Sequence, residues 1–491
     1  MIARLLLFSL LLPVLASGLC LALRQPRAIL AVVRSGGLVL GAWLASVACV
    51  AFKAGPLSGA GGWLAMDALS AYHALVLALV FASSSVYAGI YFDAELAAGS
   101  FGIDEARRFG GLWFGALAAM TMVLVCGNLG LMWVGMEATT LITAFLICVH
   151  VKPLALEAMW KYLVVCSVGV AFAFVGTILI GASAQKLNLD AYELLLWTRL
   201  RGSAASLDPA FMKLAFVFIL VGYGTKAGLA PMHNWLPDAH SQAPAPVSAL
   251  FSGFMLNAGL YCIMRCLPLV EGALGGSGWA TRLLVVMGCI SILVAAAFIA
   301  FQRDSKRLLA YSSVEHMGII ALGTGLGGLG VFAALWHTLN HALCKSLAFF
   351  AAGRLGQIYG THDLRSMAGS LRKAPWWGAG FFGGLLAVIG MAPFAVFMSE
   401  LQILKTAADV RAFWVMGIFL AGTCIVFVGA LKHAIEAAWG DAACEPVAEE
   451  AGYTSQALII GLLGALLLLG LWLPAPLARA LEQAAAVVRG G

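Results

Sequence analysis

Charge is what this sequence has least of. Only 11% of its 491 residues are Asp, Glu, Lys or Arg, and 62% are hydrophobic. Soluble globular domains carry roughly 25% charged residues, so a water-soluble fold is excluded. Several soluble domains in this length would need alternating cores and polar surfaces, which a uniformly apolar chain does not provide. Clustered cysteine is missing as well. The eleven cysteines, from Cys20 to Cys444, form no CxxC pair and lie mostly in apolar runs. That excludes an iron–sulfur or zinc framework and leaves the thiols as small buried hydrophobes. No nucleotide or cofactor loop is present, so the chain is expected to hold no cofactor and no metal and to have no redox or catalytic chemistry of its own. The net charge of +6 is too scattered for nucleic acid.

Apolar runs are abundant instead. A helix crossing the hydrocarbon core takes about 20 residues, because lipid offers backbone amides and carbonyls no partners. Fourteen such segments are predicted, approximately at 2–23, 28–52, 65–91, 109–126, 129–150, 158–184, 211–231, 246–270, 279–301, 308–328, 330–355, 376–404, 412–437 and 454–474. The expected fold is an all-α polytopic membrane protein in contact with lipid. The first segment has an alternative reading as a signal peptide, with Arg4 ahead of it and small residues at Ala16–Gly18. Its apolar run continues to Leu23, longer than a usual signal core, which favours a retained helix.

Basic residues set the orientation. Arg24, Arg27, Arg107, Arg108, Lys152, Arg303, Lys306, Arg307, Arg354, Arg365, Arg372, Lys373 and Lys432 fall in odd-numbered loops. The even loops hold fewer, chiefly Lys53, Lys186, Arg199, Arg201, Arg282, Lys405 and Arg411. Basic loops stay cytoplasmic, so a multi-pass protein of the bacterial cytoplasmic membrane with both termini outside is expected.

A charge at mid-membrane costs at least roughly 2.5 kcal/mol on insertion scales, so those retained there mark function. Five groups qualify: Glu137, Lys226, the pair Glu315 and His316, the set His337, His341 and Lys345, and Glu400. The set at 337, 341 and 345 steps about 40° per member around a helix and forms one stripe suited to a proton wire. Glycines around Lys226, including Gly228, together with Pro231 and Pro237 prevent a continuous helix, and Glu400 follows Pro393, so two spans are expected to be interrupted. Broken helices expose backbone groups that hold ions or water. Glu137 to Glu315 spans 178 residues and Lys226 to Glu400 spans 174, which suggests an internal duplication.

Other readings stand beside these. Glu137 and Lys226 also suit a static ion pair, His337 and His341 suit helix packing, and Lys345 suits snorkelling from a helix end. Glu315 and His316 also suit an interfacial place near the start of the tenth segment. Asp238 and His240 read as loop-fixing groups. Zinc on His337 and His341 is disfavoured because no third ligand is indicated.

The stretches KAGLAPMHNWLPDAHSQAPAPVSALFSG, RDSKRLLAYSSVEHMG and WHTLNHALCKSLAFFAAG occur in that order. Over roughly residues 65–440 they make the chain resemble the antiporter-like membrane subunits shared by respiratory complex I, multisubunit sodium/proton antiporters and group 4 membrane hydrogenases. AYSSVEHMG with GMAPFAVFMSE resembles most the component F type of hydrogenase-4 and formate hydrogenlyase. The resemblance implies about fourteen transmembrane helices, two inverted five-helix repeats with discontinuous helices seven and twelve, and proton translocation without a cofactor. It implies three N-terminal helices over 1–108, repeats over 109–270 and 271–440, and a last helix with a short tail over 441–491. It places the family's relay glutamate on Glu137, its lysines on Lys226 and Lys345, and its twelfth-helix charge on Glu400. His337 and His341 extend that relay, and His233, Ser252, Asn257, Glu315 and His316 are further candidates for relaying protons or binding water. Helix eight departs from the pattern, with Asn257 where many relatives carry lysine or histidine. After the last segment only about sixteen residues remain, so the long lateral helix of one complex I subunit type is absent.

The expected function is a proton-translocating subunit of a membrane-bound oxidoreductase complex, working beside other membrane subunits and, indirectly, a peripheral redox arm. The alternative is a stand-alone cation/proton-coupled transporter, or an inorganic-carbon uptake subunit paired with a soluble partner.

Overall fold

The computed structural model describes residues 2–490 apart from 186, 188, 191 and 442–450, so Lys186 and Cys444 lie outside the described residues. The chain opens with α1 (Ile2–Ala22) and α2 (Pro26–Ala54), then an antiparallel hairpin of β1 (Leu57–Gly59) and β2 (Leu64–Met66). Next come α3 (Ala68–Ala97), α4 (Ile103–Val125), α5 (Leu129–Ile147), α6 (Pro153–Ser183) and the short α7 (Trp197–Gly202). The middle holds α8 (Pro209–Ala227), α9 (Leu236–Gln242), α10 (Ala245–Leu250), a π turn at Phe251–Met255 and α11 (Leu256–Ala273). After these run α12 (Trp279–Ile299), α13 (Ser305–Leu326), α14 (Leu329–Tyr359), the short α15 (Ser370–Lys373), α16 (Pro375–Val388) and α17 (Ala395–Asp409). The chain ends with α18 (Phe413–Trp439), α19 (Tyr453–Leu471) and α20 (Ala475–Arg489).

Helix starts follow local chemistry. Asp67, Asn128, Asp208 and Asp304 each accept from backbone amides of the first turn, satisfying donors that the helix leaves orphaned. Pro26, Pro153, Pro209 and Pro375 occupy first helical positions, where a missing N–H costs nothing.

The protein is a multi-span helical membrane protein. Among the described residues eleven helices are long and apolar enough to cross a membrane. The remaining predicted segments correspond to α13 and α14, whose interiors are polar, and to α16 with α17, separated by residues 389–394. Helix α4 begins at Ile103, so the boundary expected at 108/109 falls inside it. The hairpin and α20 have no counterpart in the sequence reading. Helix α20 is a short amphipathic tail that packs on α3, α14 and α11.

Polarity runs opposite to that of a soluble protein. Large apolar side chains such as Leu15, Val39, Val428 and Leu471 are exposed on outer helices, while Lys226, His316, His341 and Lys345 are wholly buried. Seven of the described cysteines are buried, but Cys49 and Cys424 are exposed on apolar helix faces, contrary to expectation, and Cys126 is half-buried. Helix pairs α2/α3, α6/α8 and α12/α13 pack along their lengths. Gly288 and Gly318 let the backbones of α12 and α13 approach closely, as small residues do between membrane helices.

Candidate functional site

Helix α8 stops where the backbone can turn left-handed. Gly228 has φ 74° and ψ 27°, and its N–H bonds back to Gly224 and Thr225 carbonyls, which closes the helix. Pro231 comes three residues after this stop and is exposed. Pro237 is the second residue of α9, a position that favours proline as a helix starter, so it does not break the span. The interruption is therefore residues 228–235, set by glycine. Its polar groups are satisfied in part by Ala230 N donating to Ser291 Oγ at 2.9 Å and Trp235 Nε1 donating to Thr225 O at 2.9 Å.

Lys226 sits in the last turn before the stop. Its Nζ donates to Thr140 Oγ1 at 3.0 Å and Tyr162 OH at 2.5 Å and lies 4.9 Å from the Tyr162 ring centre. Tyr162 OH also bonds Thr143 Oγ1 at 2.6 Å. Glu137, one turn before Thr140, is half-buried and accepts from Ser167 Oγ at 2.9 Å, while its Oε2 has no partner among the described residues. A static Glu137–Lys226 ion pair is therefore not formed: hydroxyls hold the ammonium, and the carboxylate turns towards α6.

The middle of the row is built around the π turn, a feature common at functional sites. Ser252 Oγ lies 2.7 Å from Ser313 Oγ on α13. Asn257 Nδ2 donates to Gly253 O at 2.8 Å, and its Oδ1 has no partner among the described residues. His233 is half-buried in the interruption, and its Nδ1 has no partner among the described residues. No hydrogen bond among the described residues joins Lys226 to Ser252. The rings of Trp235 and Phe251 stand between Tyr162 and His240, within 6.3 Å of each.

The second half is a connected histidine chain. His316 Nδ1 is 2.8 Å from His337 Nε2, and His337 Nδ1 is 2.9 Å from Ser399 Oγ. Asn340 Nδ2 donates to Ser399 Oγ at 3.1 Å. The His341 ring centre is 5.1 Å from that of His316, and both His341 nitrogens lack partners among the described residues. Lys345 Nζ donates to Leu309 O at 2.9 Å and to Ser312 Oγ. It lies mid-way along the 31-residue α14 and is wholly buried, so snorkelling is excluded. Glu315 and His316 are likewise deep in α13, its eleventh and twelfth residues, and the interfacial reading fails for them.

Glu400 follows the interruption that contains Pro393. It is half-buried and lines a cavity of about 320 Å³ with Gly390, Phe397 and Thr423. Donor atoms of His316, His337 and Glu400 lie within 4.8 Å of one another. These three could hold a divalent ion, a different set from the His337 and His341 pair weighed in the sequence: His341 is not among them, and His316 of α13 and Glu400 of α17 join His337.

This geometry has relatives. A family model described as NADH:quinone oxidoreductase/Mrp antiporter, transmembrane, matches residues 126–426. The chain belongs to this family. It is similar to a hydrogenase-4 component F homolog of Methylacidiphilum infernorum (isolate V4), 38% identical over 348 residues that cover 71% of this chain and 73% of the relative. Hydrogenase-4 component B of Escherichia coli (strain K12) is 32% identical over 368 residues, covering 72% of this chain and 52% of that protein. Among solved structures, a chain of the archaeal membrane-bound sulfane sulfur reductase aligns with TM-score 0.86 at 24% identity, covering 99% of this chain and 98% of its own. A chain of the Mrp complex from Dietzia sp. DQ12-45-1b gives TM-score 0.85 at 20% identity, covering 99% and 97%. At these identities the two structures show a shared fold.

Several polar residues of this antiporter-family chain escaped the sequence reading. His240, taken as loop-fixing, is wholly buried, faces the Trp235, Phe251 and Phe349 rings, and has no partner for either nitrogen among the described residues. Asp238 does fix the loop, with ion pairs at 3.1 Å to both Lys161 and Arg307. Lys306, assigned to a loop, is buried and donates to Ser241 O at 2.9 Å and to Ala243 O. Arg354, assigned to a helix end, is buried within α14 and donates to Gln357 Oε1 at 2.5 Å. Arg265 lies in the same helical run as Asn257 but two turns on, bound to Asp67. Arg265 and Arg354 shared one signal, a charge among apolar residues near a segment end, whereas Lys306 in RDSKRLL carried none.

Proposed function

We propose that this chain moves protons through the middle of the membrane as one membrane subunit of an oxidoreductase complex of the hydrogenase-4 or complex I-like kind. The protons would travel along Glu137, Lys226, His337, His341, Lys345 and Glu400, with His233, Ser252, Asn257, Glu315 and His316 relaying or holding water. Other membrane subunits flank it, and a partner's redox arm supplies the driving reaction. The observation that carries this reading is the run of buried titratable groups from Lys345 through His341 and His316 to His337, next to Ser399 and Glu400, where lipid would otherwise forbid them. Relatives named as hydrogenase-4 components favour it over a stand-alone cation antiporter.

The two repeats are taken as 109–270 and 271–440, after the N-terminal helices of 1–108 and before the last helix and tail of 441–491. In support, each repeat contains one interrupted helix beside a charged residue, Lys226 in the first and Glu400 in the second. The membrane is taken as the bacterial cytoplasmic one, with both termini outside.

In the mechanism proposed, hydroxyls of Thr140 and Tyr162 cradle the Lys226 ammonium, and the nearby Glu137 carboxylate stabilises its charge. Moving that carboxylate away releases the proton towards the π turn. Ser252 and Ser313 carry it to Ser312 and Lys345, and the histidines pass it to Glu400. The test is purification of the tagged chain in mild detergent and identification of its companions by mass spectrometry. Hydrogenase or quinone-reductase subunits are expected. A large soluble zinc protein as the sole companion would overturn the proposal.

A further inference from the structure

Helix α11 carries a row of polar groups of which the proposed relay uses only Asn257. Asn257, Tyr261 and Arg265 recur every four residues, so they share one stripe that rises about 12 Å along the helix. The stripe ends in a tight knot. Arg265 is buried, and its terminal nitrogens reach the two Asp67 oxygens at 2.5 Å each. It also donates to Ser70 Oγ at 2.5 Å and Tyr261 OH at 2.9 Å, and the Trp197 ring covers its guanidinium at 4.8 Å. On the far side of the knot is a cavity of about 750 Å³, lined by Asp67, Arg265, Arg201, Trp197, Cys126 and Gln483 and bounded by α20. On the near side is Asn257, with its unpartnered Oδ1, five residues from Ser252.

A layer two helical turns deep, made by Tyr261 and the Arg265 knot, therefore separates a cavity at the helix ends from Asn257 in the middle of the proton row. A guanidinium repels protons electrostatically, as arginine does in pores that exclude them. Its carboxylate partner and two hydroxyl bonds let the charge stay buried and bind the layer together.

We infer that the Asp67–Arg265 pair is a seal that closes the α11 polar row against this cavity, so that protons cannot bypass the Lys226–Lys345 row. The inference rests on the proposed relay. It differs from two other roles for the pair, a release gate that protons cross in each cycle and a static tie between α3 and α11.

The experiment uses the intact complex in sealed vesicles and a small water-soluble methanethiosulfonate applied to the face on which the cavity opens. Cys126, native and on the cavity wall, is expected to be modified. The thiol introduced by Asn257→Cys, behind the pair, is expected to be protected, and its modification would overturn the seal. In the neutral pair Asp67→Asn with Arg265→Gln, the position-257 thiol should become reactive. Passive proton leak should rise on the order of tenfold or more, with redox turnover retained. Unchanged leak with normal pumping would make the pair a static tie, and lost pumping without leak would make it a release gate; either result overturns the inference. Should the neutral pair fail to assemble, Arg265→Lys, which keeps the charge but not the two-pronged bond to Asp67, is read by the same labelling and leak with the same outcomes. Companion identification tests the complex assignment separately, so the two readings can fail independently.

Discussion

Gly228→Ala probes what ends α8. The residue adopts φ 74°, and a Cβ built there would stand 2.3 Å from Leu236 Cδ1 and 3.8 Å from Leu256 Cδ2. An L-residue in the left-handed region costs about 1–2 kcal/mol. Leu236 is wholly buried, so its methyl can move only into its neighbours, and overpacking of this kind adds about 1–3 kcal/mol. The sum is a loss of about 2–5 kcal/mol. Chemical unfolding in detergent, followed by tryptophan fluorescence, measures it against Gly464→Ala. That control lies in α19 with nothing within 4 Å and should be neutral or slightly stabilising. Adding Leu236→Ala removes the clash but not the strain, so the double variant should be about 1–3 kcal/mol more stable than the two single losses predict. Proton uptake per assembled complex should also fall, because Lys226 lies two residues before the stop. Wild-type stability for Gly228→Ala, or strict additivity with Leu236→Ala, would refute the account of the helix stop.

Glu137→Gln should abolish proton uptake in vesicles while leaving assembly intact, since the amide can still accept from Ser167; wild-type uptake would remove Glu137 from the path. Lys345→Met removes the ammonium's donation to Ser312 Oγ, while Leu309 O still accepts from Ser312 Oγ and Ser313 Oγ at 3.0 Å each, so uptake should be lost with a stability change of no more than about 1 kcal/mol. Retained uptake, read with a pH-sensitive dye, would reduce the α14 stripe to packing. His240→Leu strands no partner of the ring nitrogens among the described residues and lies outside the proposed row, so stability should hold to within about 1 kcal/mol and uptake should be unchanged. Lost uptake would place His240 on the path.

Much of this architecture was legible because lipid penalises errors severely. Twenty-residue apolar runs announce helices, and a lone Glu or Lys inside one announces a polar interior, which is how Lys226 and Lys345 were singled out. The interruption after Lys226 was legible in its glycines and prolines, but not which of them ends the helix: proline is the louder signal, whereas the backbone turns at Gly228 and leaves Pro231 exposed. His240 was passed over because HNWLPDAHSQ reads as a polar loop, yet the segment folds inward and buries the ring. The Asp67–Arg265 pair joins residues 198 apart in sequence, and the His316, His337 and Glu400 cluster draws on three helices. No local pattern encodes such meetings. Helix α20 was lost for a simpler reason, since a short amphipathic stretch lacks the unbroken hydrophobicity that marks a span.

The π turn at Phe251–Met255 sets a phase. In the run from Ala245 to Ala273, the wider turn takes up one residue more than an α-helical turn. The two halves are thereby offset by about 100° from where an uninterrupted α-helix would leave them. Ser252 meets Ser313 on one side of the splice, and the Asn257–Tyr261–Arg265 row meets Asp67 and Ser70 on the other. Deleting a single residue between 253 and 255 would turn the π turn into an α turn that spans the same rotation, so both faces should keep their partners, whereas regularising the turn at unchanged length would swing one of them away. A one-residue deletion is thus expected to be tolerated here as it is in a surface loop, and the wide turn is what lets the helix join two surfaces whose registers are set independently.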